Sequence, residues 1–587
     1  MKSRLFIVLV VSMLCGTIFA IYLHYSQEPL LMYREQQQIF LWDGDYMTSL
    51  LKQVGGFATL ASQFLVQFFL IPWVGAITTA LITTITGFML WMSLNRILNN
   101  SIIYGALALL ASYLQGIYLL EMGYHYEGLI AMLCFSLILY AYLLIYKDSN
   151  LYLKTLSGIV FTLLLYFFAG SIATLFAVCA LIADMLQDYR KGWISSLYLL
   201  TCFLAALVTV SNGSIVGYDY ALWTKGYYEY HVEQGIWQSI SWIVVPIIMI
   251  AGGISKRFLL KPIVQAATGC IILMVGGLFL YVQSERRMNR DFRTLTELML
   301  CINQNDWEGI INNPNLNYQN YLHLNCINLA LSHEGKMMTD LFKYPQKGAQ
   351  SLMVGYQAYN DINVLFSHIY YHTGVISEAL CLSFGTMIAT TYGNPSLLKM
   401  LVKERLIYGD YQVAEKYITR LEKTYAYQEW ATDMRRFLNN DQAVENDPEL
   451  GKKRKSLPSP QPRFVVLDGI MADLVKVTET GTDEGHALEY AMAMMMLDKN
   501  MDGVRYLSDR FLANWQGDTM PELMQEAVVI LAEHDEEYCR SHGVTDETAN
   551  RFMAFKQAVL NARRSNVNQQ AALSSYRNTY WYYYMFG

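Results

Sequence analysis

Charged residues are scarce in this chain of 587 residues, at 16%, against about 25% in ordinary soluble domains. Hydrophobic residues reach 54%, and the mean hydropathy is +0.22. The scarcity is uneven, because residues 1–282 are mostly long apolar runs whereas residues 283–587 are charged and rich in Asn, Gln and Tyr. We therefore expect a membrane domain over 1–282, with the lipid bilayer as its partner, followed by a soluble region.

The chain also lacks a basic domain, since its formal net charge is −6 and its pI is near 6.0. We expect no nucleic-acid partner, because phosphate recognition requires clustered Lys and Arg. The nine cysteines are too few and too scattered for a disulfide scaffold, and they show no C-x-x-C spacing. In the polar half they are Cys301, Cys326, Cys381 and Cys539, whose pairing the sequence leaves open. No metal, redox or cofactor motif is found.

Nine segments are apolar over roughly the 20 residues that a helix needs to cross a bilayer. The first, residues 5–23, follows Lys2 and Arg4, and its length favours an uncleaved anchor over a cleaved signal peptide. The others are 72–94, 102–120, 127–146, 153–168, 171–187, 193–211, 236–254 and 262–282. The sequence Ala169-Gly170-Ser171 is expected to break the long stretch 151–187 into two spans.

Basic residues at the ends of the spans predict the orientation. With a cytoplasmic N-terminus, ten Lys and Arg flank the inner ends and three lie in outer loops. Nine spans then place residues 283–587 on the outer side of the membrane. An eight-span alternative, which merges 153–187, would place them inside.

The outer segments contain the acidic residues of most interest. The first, residues 25–71, carries Asp43 and Asp45 and then a helix near 57–69 that is expected to lie in the membrane interface, with Gln63 and Gln67 one turn apart. Glu121, Glu127 and Asp219 lie in or beside later outer loops. Asp184 lies near the cytoplasmic end of its span, so its side chain is expected to reach the headgroups.

The polar half is predicted to be helical throughout most of its length. Residues 283–445 and 464–587 contain helical hairpins, and in 395–424 small and aromatic residues stand where a tetratricopeptide hairpin places them: Gly409, Tyr411, Ala414 and Tyr417. Between them, 446–463 holds four consecutive basic residues followed by Pro458, Pro460 and Pro462, which predicts a linker or long loop. The aromatic tail 580–586 is expected to dock into a groove or to lie at the membrane interface.

Stacked helical repeats leave a concave face, which favours an envelope protein or glycan as a bound partner over a purely structural role. His368 and His372 stand four residues apart on one helix face. They lack the glutamate of the H-E-x-x-H metal motif, so we interpret them as packing histidines rather than metal ligands.

Three segments together resemble an uncharacterised family of polytopic inner-membrane proteins of Gram-negative bacteria. They are Glu35-Gln36-Gln37-Gln38-Ile39-Phe40-Leu41 with Asp45-Tyr46, Gly55-Gly56 with 63–69 and Pro72-Trp73, and Asn328-Leu329-Ala330-Leu331 with Phe342-Lys343-Tyr344-Pro345-Gln346. The resemblance runs nearly end to end and implies a bacterial inner-membrane location with a periplasmic C-terminal half. It implies no activity, cofactor or catalytic residue.

The architecture is also similar to that of C-type glycosyltransferases, which use lipid-phosphate sugar donors. That likeness implies catalytic roles for Asp43 and Asp45, with Glu121, Glu127 and Asp219 facing the same outer cavity. Such carboxylates activate an acceptor as a general base or hold a divalent metal against the donor phosphate. The favoured hypothesis is a membrane-anchored periplasmic helical-repeat scaffold or binding module in envelope or glycan assembly, and the glycosyltransferase is the alternative. The sequence leaves open whether the protein is an enzyme.

Overall fold

The computed structural model is all-helical over the residues that it describes: 2–98, 101–121, 123–145, 151–229, 239–255, 261–287, 290–354, 360–390, 392–457, 469–480, 486–512, 520–565 and 567–587. Within these ranges the β-structure is one isolated bridge between Tyr124 and Tyr228. The chain forms two compact units, the first made of Met1–Asn289 with Lys423–Gln428 and the second of Arg290–Glu422 with Glu429–Gly587.

The described residues of the first unit form thirteen α-helices. They are α1 Lys2–Glu35, α2 Gly44–Leu51, α3 Gly56–Val66, α4 Val74–Ile97, α5 Ile102–Tyr118, α6 Glu127–Ile145, α7 Leu151–Ala169, α8 Ala173–Gln187, α9 Tyr189–Gly192, α10 Ser196–Ser211, α11 Tyr218–Leu222, α12 Ile240–Ser255 and α13 Pro262–Arg287. Each of the nine segments predicted to cross the membrane is helical over most of its described residues, because a long apolar run that lacks water must satisfy its own backbone groups.

Among the described residues, six helical stretches are long and apolar enough to cross a membrane by length and composition. They are Leu5–Glu35, Val74–Ile97, Glu127–Ile145, Leu151–Gln187, Tyr189–Ser211 and Ile263–Arg286. The predicted break inside Leu151–Gln187 is confirmed, since the 3₁₀ turn Gly170–Ile172 separates α7 from α8. Gly170 adopts φ +77° there, a conformation that side chains with a Cβ disfavour. Nine crossings remain a prediction.

Asp184 is buried, contrary to the expectation that it reaches the headgroups. Its side chain is within hydrogen-bond distance of Nζ of Lys154 at 2.9 Å and of the Tyr142 hydroxyl, also at 2.9 Å. The hydroxyl of Ser195 donates a further hydrogen bond to it. Lys154 lies in the first turn of the neighbouring helix α7, so it neutralises the Asp184 carboxylate inside the protein. The residues next to Asp184 in the sequence give no sign of this partner.

The predicted helix near 57–69 is observed as α3. Its two glutamines are buried, with Gln63 accepting a hydrogen bond from the Tyr46 hydroxyl and Gln67 donating to the carbonyl of Phe64 at 2.8 Å. The polar positions of this helix therefore face protein groups.

The second unit is built of short helices. They are α14 Arg290–Gln304, α15 Trp307–Ile311, α16 Tyr321–His333, α17 Met337–Asp340, α18 Asn360–His372, α19 Ile376–Ala389, α20 Pro395–Tyr408, α21 Tyr411–Leu421, α22 Gln428–Met434, α23 Asp441–Asn446, α24 Leu450–Lys455, α25 Ile470–Glu479, α26 His486–Leu497, α27 Met501–Leu507, α28 Glu522–Leu531, α29 Glu536–Ser541, α30 Asp546–Arg564, α31 Gln569–Ala572 and α32 Tyr580–Phe586. Gln428, the first residue of α22, belongs to the first unit.

Consecutive helices of this unit pack as hairpins. Helices α18 and α19, α20 and α21, and α26 and α27 form three of them. Each turn contains a residue with a left-handed backbone, namely Gly374, Gly409 and Lys499. Gly409 is the C-cap of α20 at φ +75°, as expected where a helix ends and the chain reverses.

The predicted linker 446–463 is in part a packed helix, which corrects the expectation of a solvated loop. Helix α24 buries Leu450 at 2% exposure. Arg454 donates to the carbonyls of Leu406 and Ile407 at 2.6 and 3.0 Å. These carbonyls are at the C-terminal end of α20, where basic side chains are stabilising. Residues 458–463, with Pro458, Pro460 and Pro462, lie outside the described residues.

The aromatic tail docks into the second unit, so the groove alternative is confirmed. Tyr580 and Trp581 are at most 1% exposed. The indole N–H of Trp581 donates to the backbone carbonyl of Glu526 at 3.1 Å, and the backbone N–H of Tyr580 donates to the Glu526 carboxyl group at 2.7 Å.

All nine cysteines are free thiols.

Candidate functional site

Asp43 caps helix α2 and pairs with a lysine from far along the chain. Its Oδ1 accepts a hydrogen bond from the backbone N–H of Tyr46 at 3.0 Å, which is an N-cap arrangement. Its Oδ2 forms a salt bridge with Lys423, which belongs to the same unit. The hydrogen bond from Lys423, followed by that from Tyr46, lowers the pKa of Asp43. Both contacts give this carboxylate a structural role.

The segment that carries Lys423 binds the first predicted outer segment at other points. The backbone N–H of Trp42 donates to the Lys423 carbonyl at 2.7 Å. The hydroxyl of Tyr427 donates to the Glu35 carboxylate, also at 2.7 Å. Burial and the Glu35 charge raise the pKa of Tyr427, which keeps this hydroxyl protonated as the donor.

Asp45 and Asp219 are both exposed at the surface of the first unit. Asp45 is the second residue of α2. Asp219 forms a salt bridge with Lys225 at 2.7 Å, and about half of its side chain is exposed. That hydrogen bond lowers the pKa of Asp219.

Glu121 and Glu127 flank the second predicted outer loop and are bound by hydroxyl groups. The Tyr228 hydroxyl donates to Glu121 at 3.1 Å, and the Thr59 hydroxyl donates to the buried Glu127 at 2.6 Å. None of the five predicted site residues lines either of the two cavities described below. Among the described residues, no group of three or more His, Cys, Asp or Glu is placed to hold a metal ion.

Arg34, which the sequence analysis did not single out, fixes this second loop. It is 4% exposed at the C-terminal end of α1. Its guanidinium group donates to the carbonyls of Tyr124 at 2.7 Å, of Glu121 at 2.8 Å, and of Leu119. Five N–H donors in a fixed plane allow arginine to hold several carbonyl groups at once.

The second unit contains a cavity of about 360 Å³. It is lined by Asn305, Trp307, His333, His372, Gly374, Pro448, Glu449, Lys452, Lys453, Ser456 and His486. We call it the histidine pocket. Its lining comes from the turn before α15 and the ends of α16, α18, α24 and α26, so hairpin tips distant in sequence converge on it.

Two of the three histidines are hydrogen-bonded to each other. Nε2 of His333 lies 3.0 Å from Nδ1 of His372, and one ring therefore donates while the other accepts. Trp307 stacks on His333 with parallel rings whose centroids are 4.0 Å apart. The ring of His486 lies 4.9 Å from that of His333. The three imidazoles and the indole thus form one aromatic wall.

His486 takes part in a second polar chain. The buried Ser332 hydroxyl donates to the Glu489 carboxylate at 2.9 Å, so it accepts from Nδ1–H of His486 at 2.7 Å. In a nucleophilic triad the carboxylate binds the imidazole and the imidazole takes the serine proton. Here the carboxylate binds the serine, so this order does not activate Ser332 as a nucleophile.

The electrostatics of the histidine pocket favour neutral imidazole at its base. Burial, followed by the charges of His333 and Lys453, lowers the pKa of His372 well below its usual value. Lys453 donates to the backbone carbonyls of Tyr371 and His372 at 2.7 and 3.3 Å.

Glu449 is the carboxylate of the pocket and is itself paired. Nζ of Lys403 lies 2.7 Å from it, and the Tyr371 hydroxyl donates to it at 2.7 Å. Burial raises the pKa of Glu449, but Lys403, Tyr371 and Lys453 outweigh this effect and lower it overall.

His368, the other histidine singled out in the sequence, is a packing residue. It is 8% exposed, and its Nε2 lies 3.2 Å from the Ser396 hydroxyl. Burial, then Lys403 and Lys399, lower the pKa of His368 to about 3.

His333, His486 and Trp307 were not predicted from the sequence. The sequence contains a repeated pattern for the pair His333 and His372, since each histidine is the last residue of a helix. Each is followed two residues later by a glycine with positive φ, Gly335 and Gly374 respectively. The two motifs are 39 residues apart, a spacing close to that of a helical repeat.

The other cavity lies within the first unit, between α5, α12 and α13, and measures about 270 Å³. Apart from Tyr118 and Gln283, its lining is apolar, with Leu110, Val244 and Phe279 among the residues. It offers few polar groups for recognition and no acid–base pair for chemistry.

A family model described as a family of unknown function, DUF6057, matches residues 3–587. Comparison with curated proteins gives no match, and comparison with solved structures gives none either.

Proposed function

Because the chain belongs to the DUF6057 family of unknown function, we propose its function from its own structure: it is a nine-span membrane protein whose second unit is a ligand-binding module. Each of the nine predicted spans overlaps a helix in its described residues, namely α1, α4 to α8, α10, α12 and α13, which supports this count. The ten-to-three excess of basic residues on the inner side supports a cytoplasmic N-terminus. With nine spans, the second unit lies in the periplasm of a bacterial inner-membrane protein.

The hairpins of the second unit support a tetratricopeptide-like scaffold. Such repeats present surfaces formed by residues distant in sequence. The proposed role is to bind an envelope component, a glycan in first place.

The observation that carries this proposal is the histidine pocket. It has the volume of a small-molecule site, which is roughly 300–1,000 Å³, and it gathers three histidines, a tryptophan and two lysines. The pairing of His333 with His372 and the stacking of Trp307 order these groups before any ligand arrives. Preorganised polar groups reduce the entropy cost of binding.

The glycosyltransferase alternative has less support, because two of its candidate carboxylates make contacts that hold the fold together. Asp43 serves as a helix cap and an ion-pair partner, and Glu127 accepts a hydrogen bond from Thr59. Those contacts support structural roles. The alternative therefore depends on Asp45, which is exposed.

The binding proposal is tested with full-length protein purified in detergent. Thermal shifts are measured with a panel of neutral sugars, acidic sugars, nucleotides and short peptides. A compound that stabilises the wild type but not His333→Ala supports the proposal. His534→Ala is the matched control, because His534 is 90% exposed and should respond as the wild type does. The proposal fails if no compound shifts the wild type, or if His333→Ala responds equally.

A further inference from the structure

We infer that the histidine pocket binds an acidic sugar, that is, a sugar ring carrying a carboxylate or phosphate group; this inference rests on the proposed binding function. At about 360 Å³ the pocket lies near the lower end of small-molecule sites. That volume suits one or two sugar rings better than a folded domain.

The aromatic wall supplies a surface for the apolar face of a sugar ring. The rings of Trp307 and His333 are parallel to within 1° in their stack, and both residues line the pocket. Rigid aromatic rings bury a large area at low entropy cost, and the indole and imidazole N–H groups retain polar edges.

The other lining groups match the hydroxyl groups of a sugar, which both donate and accept hydrogen bonds. Asn305 offers an amide donor and an amide acceptor, and the Ser456 oxygen can accept while its proton is donated to the Lys453 carbonyl at 3.0 Å. The Glu449 oxygens, which accept from Lys403 and Tyr371, keep further lone pairs as acceptors. A nucleobase or an apolar ligand would use fewer of these groups.

The charge balance favours an anion on that ring. Lys452 and Lys453 both line the pocket, whereas Glu449, the one carboxylate among the described lining residues, is already 2.7 Å from Lys403 outside the lining. The carbonyls of Tyr371 and His372 hold the Lys453 ammonium group in place. The lowered pKa of His372, caused by burial and then by the positive charges of its neighbours, agrees with a positive potential at this site. A carboxylate or phosphate group would form charge-assisted hydrogen bonds here.

Binding of glucuronate, glucose 6-phosphate, glucose and AMP to the full-length protein in detergent tests this inference. The expected result is at least tenfold tighter binding of one or both acidic sugars than of glucose, with an affinity that falls as NaCl rises. The two acidic probes distinguish a carboxylate from a phosphate source. Lys453→Gln should reduce the preference for acid over glucose at least fivefold, whereas Trp307→Leu should weaken all sugars alike.

Lys343→Gln, on a side chain 52% exposed and outside the pocket lining, is the control and should change nothing. If Lys453→Gln fails to fold, Lys452→Gln carries the same test, since Lys452 is exposed on the same helix. Three outcomes would overturn the ligand class and leave the binding function standing: equal affinity for glucose and both acids, tighter binding of AMP than of either acidic sugar, which would assign recognition to the nucleobase, or an unchanged preference in the folded lysine variant. If no compound in the panel of neutral sugars, acidic sugars, nucleotides and short peptides binds the protein, both the ligand class and the proposed binding function are overturned.

Discussion

His333 lies flat against Trp307, with ring centroids 4.0 Å apart and an interplanar angle of 1°. This stack fixes the plane of the imidazole, and within that plane Nε2 points to Nδ1 of His372. A neutral His372 can share one proton with His333, whereas protonation of both rings would remove the acceptor. The arrangement therefore couples the order of the pocket to the protonation of His372.

Acid should destabilise the second unit through His372. Its folded pKa is depressed below 6.5, so the unfolded chain binds the proton first. The stability present above about pH 6.5 is then lost as the pH falls toward the folded pKa. We expect the unfolding free energy to fall from pH 7 to pH 5 and His372→Asn to reduce that slope. Chemical denaturation at a series of pH values measures it, and an unchanged slope in His372→Asn would contradict the assignment.

Alkaline pH should loosen the aromatic tail through Glu526. Burial raises the pKa of Glu526 to about 8, against 4.5 in the unfolded chain, and the N–H of Tyr580 only partly offsets it. A raised pKa means that stability is complete below about pH 4.5 and is lost as the pH rises through 8. Glu526→Gln keeps an acceptor for Tyr580 and should flatten stability between pH 5 and pH 8.5. Near-ultraviolet circular dichroism, which is sensitive to the environment of Trp581, follows the transition. An equal pH dependence in the variant would count against this carboxyl group.

The helices of both units were largely predictable because they depend on local patterns. Long apolar runs predicted the helices of the first unit, and Gly170 predicted the break between α7 and α8. The histidine pocket was not predictable in the same way, since His333 and His486 meet only after several hairpins have stacked. The linker prediction failed at α24 for a related reason: Arg454 finds its carbonyl partners on α20, far away in sequence.

The pair Lys154 and Asp184 should stabilise the first unit mainly by mutual neutralisation. Removal of one partner from a buried pair leaves an uncompensated charge, at a cost of about 3–5 kcal/mol. Lys154→Met should therefore lower thermal stability in detergent more than the double variant Lys154→Met with Asp184→Asn. The exposed pair Lys225 and Asp219 is the control, and its removal should have little effect. Simple additivity of the two buried substitutions would show that they do not interact.

The nine-span topology predicts opposite results for two reporter fusions. Alkaline phosphatase fused after Gln283 should be active, because nine spans place that point in the periplasm. The same enzyme fused after Lys191 should be inactive, because Lys191 follows the sixth predicted span on the cytoplasmic side. The eight-span alternative inverts both results, so the two fusions together distinguish the topologies.

Asp→Asn substitutions at positions 43 and 45 test whether each carboxylate has a structural or a catalytic role. Asp→Asn keeps the shape of the side chain and removes its charge. At position 43, asparagine still caps α2 but loses the attraction of Lys423, so Asp43→Asn should weaken the attachment of Lys423–Gln428. Because the pKa of Asp43 is lowered, its ion pair is complete above about pH 4 and is lost as the pH falls below that value. Hydrogen exchange of residues 423–428, compared with Asp219→Asn as a control, measures the effect.

At position 45 the two functions predict different results. In a binding module, an exposed aspartate contributes little, and Asp45→Asn should leave membrane abundance, ligand binding and cellular function near wild-type values. In a glycosyltransferase, a general base must approach the acceptor hydroxyl to about 3 Å, so the same substitution should abolish function while leaving abundance unchanged. Complementation of a deletion strain with Asp45→Asn, His333→Ala and Asp219→Asn compares them directly. Loss of function in His333→Ala alone supports the binding module, whereas loss in Asp45→Asn alone, with abundance unchanged, supports the enzyme.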